Sequence, residues 1–81
     1  MARPSPTYSG DPALVSIGQA IRQFRLEAGL SQERLANEVG IDRSYMGGIE
    51  RGEHNLSMIK LARISRCLGI SASELLGRAG V

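Results

Sequence analysis

Between Gln32 and Asn55 the chain gathers side chains that can hold another molecule by hydrogen bonds, without any evident means of making or breaking a covalent bond. Arg43 carries a planar fork of donors that fits guanine O6 and N7, or a phosphate, in two places at once. Ser44 and Tyr45 follow, placed to touch a base edge, a thymine methyl or a phosphate. Arg51, His54 and Asn55 come next in a polar run, where Gly52 lets the backbone approach a phosphate chain. Upstream, the amide of Gln32 helps clamp a phosphate if a helix begins there, and is otherwise an ordinary solvated amide. Gly47 and Gly48 sit among these residues, and a helix without side chains at two positions can sink closer to its target. The sole histidine, His54, has no Cys, His or carboxylate at metal-ligand spacing, and no Ser-His-Asp set can be built on it. No catalytic residue, metal or cofactor is expected. The pattern fits the reading of a nucleic acid, with Arg43 as its main reader; the competing role for Arg43 is a surface ion pair with Asp42 or Glu38.

Such residues work only if rigid elements bring them to one edge. From Ala13 onward Ile17, Ile21, Phe24 and Ala28 recur at helical spacing, and Gly29 supplies a stop. Ser31 is a good N-cap, Glu33 suits the positive start of a helix, and Leu35, Ala36 and Val39 make a second inward face that Gly40 ends. Ile41 and the cap Asp42 open a third helix, with Met46 and Ile49 inward and Arg43, Ser44, Gly47 and Gly48 outward. Adjacent glycines in a helix cost about 1 kcal/mol each relative to Ala, so neighbouring elements must hold this segment. Arg51 to Leu56 is a polar loop. Ser57 caps a fourth helix whose expected apolar stripe is Ile59, Leu61, Ile64 and Leu68, and Ser71-Ala72-Ser73-Glu74 is a capping box opening a fifth with Leu75 and Leu76. Nothing alternates long enough for a sheet. The expected fold is all-α, a compact five-helix bundle over residues 13–81. Its second and third helices, hinged at Val39-Gly40, form a helix-turn-helix, in which one helix braces on the DNA backbone and the next enters the major groove.

Eighty-one residues, 42% of them hydrophobic, allow one small domain and leave little surface for a lid, a cleft and a cofactor together, which favours binding over catalysis. The net charge is only +2 and the isoelectric point 9.2, yet nine of the ten cations are Arg, so affinity must come from local placement and not from a polycationic coat. Arg63, Arg66 and Arg78 are taken as ordinary surface residues. Cys67 is alone, which excludes an internal disulfide; with no second thiol to resolve an oxidised sulfur, it reads as a small core residue and not a redox switch. No apolar run approaches the ~20 residues that span a bilayer, and no small-molecule site is evident, so a cytoplasmic, nucleoid-associated protein is expected. Residues 1–12 hold all three prolines and read as a flexible lead-in, with Arg3 either solvated or a minor-groove arm.

Taken together, Gly29-Leu30-Ser31-Gln32, Leu35-Ala36, Val39-Gly40, IDRSYMGGIERGEHN and the closing LGISASELL resemble the Cro/C1-type helix-turn-helix domain, the xenobiotic-response-element-like regulators with a lambda repressor-like fold. The resemblance runs from Ile17 to Leu76, and DRSYMGGIERGEHN is especially similar to the controller proteins of restriction-modification systems. It implies a repressor or activator of transcription that binds double-stranded DNA. It also implies that Arg25 pairs with Glu50, that the position of Gly48 reads bases with a longer polar side chain, and that Arg often stands where His54 is; the chain departs from the pattern at both of the latter. Dimer contacts are implied around Ile70, Leu75 and Leu76, residues that otherwise simply close the core. One such domain offers too few base contacts for a unique site, so a homodimer on a two-fold-symmetric operator is expected, with half-sites about 34 Å apart. An antitoxin-type protein-interaction module that also binds DNA is the alternative, but it would need a toxin-binding segment that neither chain end resembles.

Overall fold

The computed structural model describes residues 4–81, so the arm suggested for Arg3 lies outside the described residues. Five helices follow one another: α1 (Pro12–Glu27), α2 (Gln32–Val39), α3 (Arg43–Glu50), α4 (Met58–Cys67) and α5 (Ala72–Ala79), with no strand among the described residues. Each start is written in a side chain. Ser31, Asp42, Ser57 and Ser71 each accept the backbone N–H three residues on, which would otherwise be orphaned, and Asp11 accepts that of Ala13 beside the preorganised φ of Pro12. Gly40 closes α2 at φ +88°, a left-handed conformation that an L side chain resists, and so turns the chain sharply into α3.

Ile21, Leu35, Met46, Ile49, Ile64 and Leu75 are fully buried and come from all five helices, so no single helix owns the core. α1 reaches α3 at unusually short range: a Cβ on Gly18 would lie 2.5 Å from the Ile49 carbonyl oxygen and 2.6 Å from that of Glu50. The absence of a side chain there lets two backbones touch, and it fixes the end of α3 against α1. Among the described residues no helix is long and apolar enough to cross a membrane.

Three details differ from the reading of the sequence. Ile59 is 74% exposed and takes no part in the α4 stripe, which is made by Leu61, Ile64 and Leu68; five residues of helix rotate Ile59 about 140° away from Ile64. Ala28 is likewise exposed, lying just past the end of α1. The lead-in is not free along its described length. The Ser5 N–H donates to the Glu53 carbonyl (2.7 Å) and the Gly10 N–H to that of Gly52 (2.9 Å), while Asp11 and Pro12 already belong to the start of α1. Gly52 makes this docking possible at φ +77°, where a Cβ would collide with the Val15 backbone at 2.7 Å.

Candidate nucleic-acid interface

The inner end of the site is an ion pair. Arg25 on α1 donates from Nε to Glu50 Oε2 (2.7 Å) and from Nη2 to Oε1 (3.1 Å), a fork-on-fork contact with side chains only 8% and 2% exposed. Its Nη1 donates to the Leu30 carbonyl (2.9 Å), and Gln32 Nε2 donates to Glu50 Oε1 (3.0 Å). The last residue of α3 is thus bonded to α1 and to the first residue of α2. Gln32 is half-buried, and its amide nitrogen is already engaged by Glu50, so a phosphate approaching this residue would meet the helix start and not a free amide.

The outer end is open. Arg43 and Ser44 lie exposed in the first turn of α3, beyond the Asp42 cap. Arg43 has no hydrogen-bond or ion-pair partner among the described residues: Asp42 is used by the Tyr45 N–H (2.9 Å), and Glu38 by Arg34 (3.1 Å). Neither of its suggested surface partners holds it. Beside Arg43 and Ser44 lies a shallow concavity of about 320 Å³, bounded also by Gln32, Arg51 and His54, with Pro4 at its rim. Arg51 is forked onto Glu53 (2.8 and 3.2 Å), whose carboxyl is held below the ordinary range by those hydrogen bonds, while Glu53 in turn raises the guanidinium. Such an exposed pair is weak enough in water to be exchanged for an incoming phosphate. Asn55 is exposed at the end of the same loop.

Two expectations about this face need correction. Gly47 and Gly48 are buried, not outward: Arg51 Nη1 would lie 3.1 Å from a Cβ on Gly47, and the His54 ring occupies the place of a Cβ on Gly48, its Cδ2 only 2.7 Å away. His54 therefore is not a residue strung along a polar loop. It is 7% exposed, lying over Gly48 and stacked on Tyr45 with centroids 4.4 Å apart and planes 25° from parallel. Missing side-chain volume on α3 is thus filled from the loop that follows it. Tyr45 is also held from α4, where Lys60 Nζ lies 4.3 Å from the ring centroid and 3.2 Å from the hydroxyl. Lys60 escaped the sequence reading, although one signal was there: it occupies the third position after a Ser cap, where Glu is preferred.

Charge varies among the helix starts, and α1 has no acid in its first turn. α2 and α5 carry Glu33 and Glu74 in their first turns, as the positive end of a helix dipole favours, whereas α3 and α4 have no acid there and carry Arg43 and Lys60 instead. Cations at helix starts oppose the local preference and suit a surface that meets a polyanion. Elsewhere, Leu75 is fully buried within its own chain and closes the core, so it cannot meet a partner, while Ile70 and Leu76 are half-buried and remain accessible. Cys67 is half-buried, and burial pushes its thiol up, away from the reactive thiolate.

A helix-turn-helix family model matches residues 21–75. Control protein C.BamHI of Bacillus amyloliquefaciens is 43% identical over 60 residues, covering 73% of this chain and 74% of that protein. Among solved structures, the restriction-modification controller protein C.AhdI of Aeromonas hydrophila superposes with a TM-score of 0.74 at 47% identity, over 76% of this chain and 94% of its own. The clp gene regulator ClgR of C. glutamicum gives a TM-score of 0.83 at 29% identity, over 84% and 87%.

Proposed function

Because the chain belongs to the helix-turn-helix family that includes restriction-modification controller proteins, we propose that it is a sequence-specific DNA-binding regulator of transcription. It acts as a homodimer on a two-fold-symmetric operator in the cytoplasm. The observation that carries this reading is the Arg43–Ser44 edge: a guanidinium unpaired among the described residues, at the start of a helix whose far end is locked by the buried Arg25–Glu50 pair. Arg43 and Ser44 meet base edges. Arg51, once released from Glu53, and Asn55 follow the phosphates, and Tyr45 and His54 form the wall between these two groups. Ile70 and Leu76 supply accessible apolar surface for the two-fold contact, and regulation follows from occupancy of a promoter.

Selection of bound sites from random duplex DNA tests the reading. The expected product is a symmetric site with half-sites one helical turn apart, bound by two chains; recovery of no common sequence at moderate salt would refute it. The narrower role of a restriction-modification controller is favoured by the 43% identity to C.BamHI. It requires methyltransferase and endonuclease genes beside the gene for this chain, and their absence would remove it.

A further inference from the structure

Lys60 stands where α4 would ordinarily carry an acid, the position that Glu74 fills in the α5 capping box, and the positive end of the helix dipole repels a cation there. Contacts outside the helix compensate. Its ammonium faces the Tyr45 ring at 4.3 Å and donates to the Tyr45 hydroxyl at 3.2 Å, so α4 holds an α3 side chain by a cation–π contact and a hydrogen bond together. Tyr45 in turn stacks on His54, which fills the vacancy over Gly48. His54 is 7% exposed and makes no side-chain hydrogen bond to a described residue. Its ring is held between Tyr45 and Gly48, with Nε2 and Cδ2 turned toward the Gly48 backbone, and the residue lines the concavity beside Arg43 and Ser44.

We propose that Lys60 is a positioning residue for base reading: by holding Tyr45 it fixes the His54 ring over Gly48, and with it the wall of the concavity beside Arg43 and Ser44 that meets DNA. The inference rests on the DNA-binding function proposed above. A lysine used as a phosphate clamp would instead give binding without sequence preference, and the two roles separate in their salt dependence.

The test compares wild type with Lys60→Met and Lys60→Arg. His54 is the only histidine, so its ring proton resonances are identified without assignment and report the ring current of Tyr45. In Lys60→Met these resonances are expected to move toward those of an unstacked imidazole. Preference at one symmetric pair of positions in the selected operator should fall about tenfold, with the slope of log K against log salt unchanged. Arg also stacks as a cation on an aromatic face, so Lys60→Arg should restore both readouts. Unmoved His54 resonances with unchanged base preference would overturn the proposal. So would uniform weakening on all sequences with a salt slope reduced by about 1, which would make Lys60 a phosphate contact. A wild type without any sequence preference would remove the DNA-reading function itself, and this proposal with it.

Discussion

Replacing Arg25 by Ala should destabilise the fold far more than its single ion pair would suggest. The substitution removes two hydrogen bonds to Glu50 and one to the Leu30 carbonyl, but the larger effect falls on what stays behind. Glu50, with its side chain 2% exposed, would keep only the Gln32 amide at 3.0 Å and would hold its charge in a nearly dry site. Breaking one side of a buried pair costs about 3–5 kcal/mol, against a total of about 5–10 kcal/mol for a domain of this length. At about 4–8 °C per kcal/mol, the melting temperature should fall by more than about 12 °C. Urea denaturation followed by far-ultraviolet circular dichroism measures the loss. The double variant Arg25→Met, Glu50→Leu supplies the control, because removing both charges together with apolar groups of similar bulk should cost much less than Arg25→Ala alone. A loss below about 1 kcal/mol for Arg25→Ala, or a double variant as unstable as the two single variants combined, would show that no uncompensated charge is left at Glu50.

Two further substitutions probe the scaffold. Gly18→Ala should cost about 1–3 kcal/mol or more in urea, despite the better helix propensity of Ala, because its Cβ would press on the Ile49 and Glu50 carbonyls and not on a side chain that can swing away. Glu27→Gln tests the α1–α5 bridge, in which Arg78 Nη1 lies 2.6 Å from Glu27 Oε2 and holds that carboxyl below the ordinary range through its hydrogen bond. A carboxylate lowered on folding adds stability that is complete above its unfolded value and is lost as pH falls through its folded value. The wild type should therefore melt above Glu27→Gln at pH 7, with the gap closing as the solution is acidified below the usual carboxylate range; a gap independent of pH would contradict this.

Helix boundaries were legible because capping is local chemistry: Ser31, Asp42, Ser57 and Ser71 each announce a start within their own turn. What crosses between elements was less visible. Ile59 and Leu61 both look like core residues in a list of apolar positions, yet two steps along a helix turn them about 200° apart, and only the neighbour of α4 decides which one is covered. Leu75 and Leu76 differ in the same way. Gly18 carries no sign that another backbone crosses it. At the candidate interface, the outward edge of Arg43 and Ser44 followed from the α3 stripe. The burial of Gly47 and Gly48 did not, because the side chains that cover them, Arg51 and His54, come from residues beyond the helix. Backbone bonds from Ser5 and Gly10 to the loop leave no side-chain signature at all.

DNA reading by this fold depends most on Arg43 reaching a base. Affinity of the wild type and Arg43→Ala for the selected operator, and for operators altered one base pair at a time, measures this directly. The expected result is a loss of about 1–3 kcal/mol, with discrimination relaxed at one symmetric pair of positions and kept elsewhere. An equal loss on every duplex, accompanied by a shallower salt dependence, would place Arg43 on a phosphate and contradict the central claim.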